Sequence, residues 1–342
     1  MKALHFYQHG GPEVMRYGEV PEPSPESNQV KLRVRACAMN HLDIWVRRGW
    51  AGLKLAMPHW SGSDIAGVVE SVGSGVTGWD AGDRVVVDPG FNPEEDEFTL
   101  RGEHSVSPRF CILGEHVRGG FAEYAVVPAA SLAALPDSVD FPEAAALPVV
   151  TVTAWRMLIH RANLRAGQSV LIVGAGGGVN TMAIQIAKLA GATVFVVASG
   201  PEKARRAEKL GADHVIDRSR LDWGKEMLGL TRRRGVDVVV DNVGAATLST
   251  SMKVVARGGC IVIVGNTSGP LAEVDLRYIF SKQIRAIGST LGNHQDFLEV
   301  LALLWRGKIK TVIDRVMPLS QGCEAFEYLE HGGQFGKIVL VP

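Results

Sequence analysis

Over the first 150 residues the hydrophobic positions fall in short runs: Gln29 to Ala36, Ala66 to Val72, Asp83 to Val87 and Ala122 to Val127. Gly- and Pro-rich segments such as Pro21-Glu-Pro-Ser-Pro25 and Gly73-Ser-Gly75 separate them. Brief β runs punctuated by turn residues predict an irregular β domain. From Asp88 to Gly120 the periodicity fades into a polar, acidic stretch that includes Phe91-Asn-Pro-Glu-Glu-Asp-Glu97. It is long for a plain connection and is expected to form an extended loop or lobe.

From about Leu164 the pattern changes to strands alternating with helices. Ser169 to Val173 is a short apolar run, after which Val179, Met182, Ala183, Ile186, Ala187 and Ala190 recur on one helical face, closed by Gly191. A second strand, Thr193 to Val197, follows at once, and Ser199-Gly-Pro201-Glu202 starts a helix that stops at Gly211. Further buried strands are expected at His214 to Ile216, Val236 to Val240, Ile261 to Val264 and Ile284 to Gly288, with a helix from about Ala246 to Ala256. Repeated βα units predict an α/β fold with a doubly wound parallel sheet. A helix from Asp296 to Trp305 and a strand from Lys337 to Val341 remain. They are too little for a third domain, so the tail is expected to return to the first.

Composition narrows the function classes. Lys plus Arg equals Asp plus Glu at 36 each, so no net field favours nucleic acid or an anionic membrane. The short Arg232-Arg-Arg234 run reads as a solvated turn. With 46% apolar and 21% charged residues the chain lies outside the disordered regime, and its 39 aperiodic glycines exclude collagen. The N-terminus has no apolar core of signal-peptide length, and the uncharged stretch from Gln168 to Ala187 is broken by glycines, an Asn and a Thr. A cytoplasmic protein without a membrane partner is expected. Cys37, Cys111, Cys260 and Cys323 form no Cys-x-x-Cys pair, so they mark neither a disulfide framework nor a thiolate zinc cage.

The first strand and helix of the βα series are joined by Val173-Gly-Ala-Gly-Gly-Gly-Val179-Asn180. Glycines there let backbone N–H groups approach a pyrophosphate at the helix N-terminus. Gly174, Gly176, Gly177, Gly178, Val179 and Asn180 are therefore candidate dinucleotide contacts. The third glycine of the fingerprint is missing in either register, and the Asn180 amide is expected to touch the phosphates instead. Where an acid at the end of the second strand would accept from a ribose 2′-OH, the chain has Val197-Ala198-Ser199-Gly200, with Lys203, Arg205 and Arg206 following. Ser199 and Lys203 suit a 2′-phosphate, so NADPH is expected over NADH. The alternative is a solvated basic helix face with a Glu202 to Arg206 pair.

Collinear motifs along essentially the whole chain carry a family resemblance. They are Gly10-Gly-Pro-Glu-Val14, Ala38-Met-Asn-His-Leu-Asp43, Gly62-Ser-Asp-Ile-Ala-Gly-Val-Val-Glu-Ser-Val-Gly73, Gly82-Asp-Arg-Val85, Ala144-Ala-Ala-Leu-Pro148 with Thr153-Ala-Trp155, Gly211-Ala-Asp-His214, Gly235-Val-Asp-Val238 and Phe335-Gly-Lys337. Together they resemble the medium-chain dehydrogenase/reductase superfamily in its zinc-independent, quinone oxidoreductase-like branch. The resemblance implies a GroES-like irregular β-barrel domain, residues 1–150 and 289–342, and a Rossmann dinucleotide-binding domain, residues 151–288, with the active site in the cleft between them. It also implies that Asn242, Gly265, Ser289 and Lys337 lie along the cofactor, and that Arg218 replaces a tyrosine near the adenosine phosphate. A homodimer or dimer of dimers, paired through the Ile284 to Gly288 edge, is implied by the same analogy.

The zinc ligands of alcohol dehydrogenases match Asn40, Ser63 and Val149 here, and of the four cysteines of the related structural site only Cys111 remains. No zinc is expected. Glu103, His104, Cys111 and His116 match no common metal cage, and an acidic loop with two exposed histidines is the alternative. Asp43 and Asp64, near His41, are expected to order the cleft or to pair with a buried Arg rather than transfer protons. Without a Lewis acid or a Tyr-x-x-x-Lys pair, the easier chemistry is hydride addition to a quinone or an α,β-unsaturated carbonyl. Asn40 is the candidate polarising group, with loop capping as its alternative role, and Thr153 is the candidate for positioning the nicotinamide or substrate. Two rival functions stay open: an NAD(P)-dependent alcohol or aldehyde dehydrogenase, and a non-catalytic NADPH-binding protein.

Overall fold

A computed structural model describes residues 1–342, which divide into two compact units. One comprises Met1–Val149, Asn293–Glu299 and Thr311–Pro342; the other comprises Val150–Gly292 and Val300–Lys310. The long helix His294–Trp305 is thus shared, its first turns belonging to one unit and its later turns to the other.

The second unit is built on a six-stranded, fully parallel sheet in the order His214–Asp217, Thr193–Ala198, Ser169–Val173, Val236–Asp241, Val255–Ile263, Arg285–Gly288. The β-branched runs of the four inner strands are largely buried, as parallel sheets require, whereas the edge strands His214–Asp217 and Arg285–Gly288, expected to be buried, are mostly half-buried or exposed. The chain winds outward from Ser169–Val173 to one edge, then returns to the other side through Val236–Asp241. The strand order therefore reverses between those two, which is where such sheets bind ligands. The helix Gly178–Leu189 buries Met182, Ala183, Ile186 and Ala187, the apolar face read from the sequence. The Ala246 to Ala256 helix is shorter than expected. It covers only Leu248–Val254, and the chain passes directly into the strand Val255–Ile263, because Val255 pairs with Val236 in the sheet. Arg285–Gly288 forms the sheet edge.

The first unit holds a seven-stranded sheet. Its central strand, Gln29–Ala38, pairs antiparallel with Asp64–Val72, Tyr124–Pro128 and, at its end, the C-terminal strand Lys337–Val341. The core beneath it gathers Leu4, Phe6, Leu32, Ile65, Phe121, Phe326 and Leu340. The tail returns because the continuous apolar run at the end of Lys337–Val341 is buried at four of the strand's five positions, which needs a sheet partner that the last residues alone do not provide. The 88–120 lobe is more ordered than its polar composition suggests. Gly90–Phe91 pairs with Cys111–Ile112, and the Asp96 carboxylate accepts from the Phe98 and Thr99 backbone N–H groups and from the Ser107 hydroxyl. Asp96 thus caps a local turn, while Glu94 and Glu97 form exposed ion pairs with Arg109 and Arg101.

Candidate functional site

In the first unit, strand register assembles a buried polar cluster. Ala38 faces Asp64 on one side and Val339 on the other, so Asn40, Asp64 and Lys337 come together across three adjacent chain segments. The Asn40 amide donates to Asp64 Oδ2 at 2.8 Å, and the Val149 backbone N–H donates to Asp64 Oδ1 at 2.7 Å. The Lys337 ammonium donates to Asn40 Oδ1 at 2.6 Å and to Asp64 Oδ2 at 2.8 Å. The side chains of Lys337 and Asp64 are only 4% and 0% exposed. Such a pair persists because each charge is compensated and hydrogen-bonded.

This corrects one expectation. Lys337 directs its ammonium to Asn40 and Asp64, and the buried cation that pairs with Asp64 is a lysine rather than an arginine. The buried Arg47 instead pairs with Glu330. Asn40 is the N-cap residue of the helix His41–Arg48 in a capping box with Asp43, whose carboxylate accepts from the Asn40 backbone N–H at 2.6 Å. The capping role therefore stands beside the contacts of the Asn40 side chain in the cluster. Of its two amide protons one is held by Asp64; Asn40 is 7% exposed.

Asp43 Oδ1 also accepts from the Gly62 N–H at 3.1 Å. Burial pushes its carboxyl up to about 7, against the pull of the two N–H groups and the Lys337 ammonium. Because the folded-state value is raised above the ordinary 3.8, the native state binds more protons than the unfolded chain between about pH 4 and pH 7. The Asp43 contribution is therefore greatest at low pH and falls as pH rises through that window, by roughly 4 kcal/mol in all. Denaturant unfolding from pH 5 to 8, compared with Asp43→Asn, should show the wild-type advantage shrinking as pH rises and levelling off above about pH 7. A constant difference would mean that Asp43 stays ionised throughout.

The positions matched to zinc ligands do converge: Asn40 and Val149 both bond Asp64, and Ser63 precedes it. They offer an amide, a backbone N–H and a buried hydroxyl that has no hydrogen-bond partner. No thiolate or imidazole is among them, and a lysine ammonium already lies on the carboxylate. This donor set does not suit a zinc ion. Nor does the lobe gather Glu103, His104, Cys111 and His116 into one ligand set. His116 Nδ1 instead accepts from the Ile112 N–H, and His104 is half-buried rather than exposed.

The second unit carries the other expected residues. Gly174 has φ +100, and Gly177 is the N-cap of the helix Gly178–Leu189, which has no side-chain cap. The first N–H groups of that helix, around Gly178 and Val179, therefore have no intrahelical acceptor. Asn180 does not join them. Its amide protons go to the Val173 and Gly174 carbonyls at 3.1 and 2.9 Å, and its oxygen accepts from Asn242 at 2.8 Å. With its side-chain amide fully engaged inside the unit, Asn180 ties the helix to the strand end.

Asn242, Gly265 and Ser289 follow the carboxyl ends of three neighbouring strands. Asn242 Oδ1 and Ser289 Oγ are buried without hydrogen-bond partners, and a Cβ on Gly265 would lie 3.1 Å from the Asn242 carbonyl oxygen. Unsatisfied polar atoms and a bare glycine at the carboxyl ends of these strands, with Asn242 at the point where strand order reverses, fit a dinucleotide. Sequence reasoning missed Asp241, whose buried carboxylate accepts from the Val243 and Gly244 N–H groups and the Thr247 and Ser251 hydroxyls, fixing the loop that carries Asn242. An acid closing the apolar Val236 to Val240 run was the available signal. Thr153 is buried in the helix Pro148–Trp155.

At the end of Thr193–Ala198, Ser199 is exposed and Lys203 lies in the first turn of the helix Pro201–Lys209. The next strand brings an acid that the sequence reading did not place. Asp217 Oδ1 accepts from the Gly200 N–H at 2.9 Å and from Ser219, while its Oδ2 is buried without a partner. Arg218, beside it, is exposed.

Residues 26–137 match the alcohol dehydrogenase GroES-like domain family, and residues 178–306 match the family described as zinc-binding dehydrogenase. Quinone oxidoreductase of Rattus norvegicus is 33% identical over 349 residues, covering 100% of this chain and 98% of that one. An NAD-dependent alcohol dehydrogenase of Sulfurisphaera tokodaii is 34% identical over 357 residues, with both chains fully covered. Among solved structures, an NAD-dependent alcohol dehydrogenase superposes with a TM-score of 0.96 at 42% identity, again over all of both chains. No helix is long and apolar enough to cross a membrane.

Proposed function

The chain belongs to the medium-chain dehydrogenase/reductase superfamily, a family of pyridine-nucleotide-dependent oxidoreductases, and we propose that it is an NADPH-dependent reductase of quinones or α,β-unsaturated carbonyls that works without zinc. The observation that carries this reading is the Asn40–Asp64–Lys337 cluster, which puts a neutral amide where relatives of the alcohol dehydrogenase type have a metal ligand. When bound, NADPH supplies a hydride from nicotinamide C4. The backbone N–H groups at Gly176 to Val179 hold the pyrophosphate. Asn242, Gly265 and Ser289 line the dinucleotide, Ser199, Lys203 and Arg218 receive the 2′-phosphate, and Thr153 positions the nicotinamide or substrate. Asn40 donates its remaining amide proton to the substrate oxygen as negative charge develops there, and solvent water supplies the proton that completes reduction. A conjugated acceptor suits this apparatus because delocalisation lowers the charge that a single neutral donor has to stabilise.

A second reading, an NAD-dependent alcohol or aldehyde dehydrogenase, is favoured by relatives of that name at equal identity and by the unpartnered Asp217 Oδ2, an acceptor suited to a ribose hydroxyl. The two separate in one experiment. Chelator-treated, desalted protein is offered NADPH or NADH with a small quinone, an enone and a simple aldehyde, and NADP⁺ or NAD⁺ with a primary alcohol. Turnover of quinone and enone with NADPH, undiminished by chelation, is expected. Activity restricted to alcohol and aldehyde and lost on chelation would establish the second reading, and tight NADPH binding without any turnover would make the protein a non-catalytic binder.

A further inference from the structure

We propose that Lys337 is a positioning residue that acts through Asn40, drawing electron density from the amide so that its free N–H becomes a stronger donor to the substrate oxygen. The inference rests on the reading of Asn40 above. Its basis is the closed geometry of the cluster. The ammonium lies 2.6 Å from Asn40 Oδ1, while Asp64 Oδ2 takes one of the amide protons at 2.8 Å. A cation on the carbonyl oxygen favours the amide resonance form that carries positive charge on nitrogen, which makes the second N–H more acidic. The same two contacts prevent the amide from flipping, because reversing Asn40 would set its NH₂ against the ammonium and its oxygen against the carboxylate. Burial of all three side chains keeps water from screening the effect. Lys337 thus supplies a positive charge one amide away from the reacting oxygen, a task that a metal ion performs by direct contact elsewhere.

The test separates polarisation from simple support of the fold. Lys337→Met should lower kcat for the preferred quinone or enone by roughly 10-fold, a fraction of the 10²- to 10³-fold typical of deleting an oxyanion donor outright. The NADPH Kd should stay within about 2-fold, since the ammonium faces Asn40 and Asp64. In an Asn40→Ala background the same substitution should cost nothing further, and Lys337→Arg should recover part of the loss. The double variant Asp64→Asn/Lys337→Met, neutral and matched in charge, should regain the unfolding midpoint without regaining kcat. Independently of turnover, the Asn40 side-chain amide resonance, assigned by its absence in Asn40→Ala, should move upfield in Lys337→Met. An unmoved resonance, multiplicative losses in the double variant with Asn40→Ala, or a 10-fold weaker NADPH Kd with kcat intact would overturn the assignment. If the wild type reduces no quinone or enone, the functional reading fails, while the resonance still decides whether the lysine polarises the amide.

Discussion

Replacing Asp64 with Ala should destabilise the protein by about 3–5 kcal/mol, the range found when one partner of a buried ion pair is removed. Three donors lose their acceptor at once: the Asn40 amide, the Val149 backbone N–H and the Lys337 ammonium. No water-exposed route compensates, because Asp64 is fully buried and Lys337 nearly so. Equilibrium unfolding in urea with an unchanged m-value measures the loss, and a shift below about 1 kcal/mol would show that water enters and solvates the ammonium. Asp64→Asn/Lys337→Met should recover most of the stability, since a neutral pair of similar volume leaves no buried charge uncompensated.

The second large effect concerns the cofactor. Ser199→Asp should shift the ratio of kcat/KM for NADPH over NADH by about 100-fold toward NADH, equivalent to about 2.7 kcal/mol of discrimination. A carboxylate at the exposed end of Thr193–Ala198 repels a 2′-phosphate and accepts from a ribose 2′-hydroxyl. On the proposed reading, the basic groups Lys203 and Arg218 receive the phosphate in the wild type. Asp217 competes for the carboxylate's part through Oδ2 alone, because its Oδ1 is committed to Gly200 and Ser219, bonds that together hold its carboxyl below the usual range. Steady-state kinetics with both nucleotides decide the matter, and an unaltered ratio would place the 2′-position away from Ser199.

The reach of the sequence differed between the two units for a physical reason. In the parallel sheet, strand, glycine turn and helix follow one another within a few dozen residues, so Ser169–Val173, Gly174 to Gly178 and the Met182, Ala183, Ile186, Ala187 face were all readable locally. Hydrophobic periodicity and turn chemistry are short-range properties, and a dinucleotide fold is assembled largely from them. What the side chains do with their polar atoms was not readable in this way. Asn180 looked like a phosphate ligand because it stands in the loop, yet the end of its strand and Asn242, 62 positions away, claim its whole amide. Asp217, 17 positions further on, accepts from the Gly200 N–H in the turn after the second strand, a contact that no local pattern announces.

The first unit shows the same limit more sharply. Residue types at 40, 63 and 149 were enough to see that zinc ligands were missing. That Lys337 fills the position with charge depended on the pairing of Val339 with Ala38 and of Ala38 with Asp64, contacts spanning 273 positions of chain from Asp64 to Lys337. The sequence alone determined the fold class, the family and the candidate loops, because each is written in local pattern and residue identity. Only the tertiary structure decided which buried charge meets which, because hydrogen-bond partners in a low-dielectric interior are chosen by strand register, and register depends on distant segments packing together.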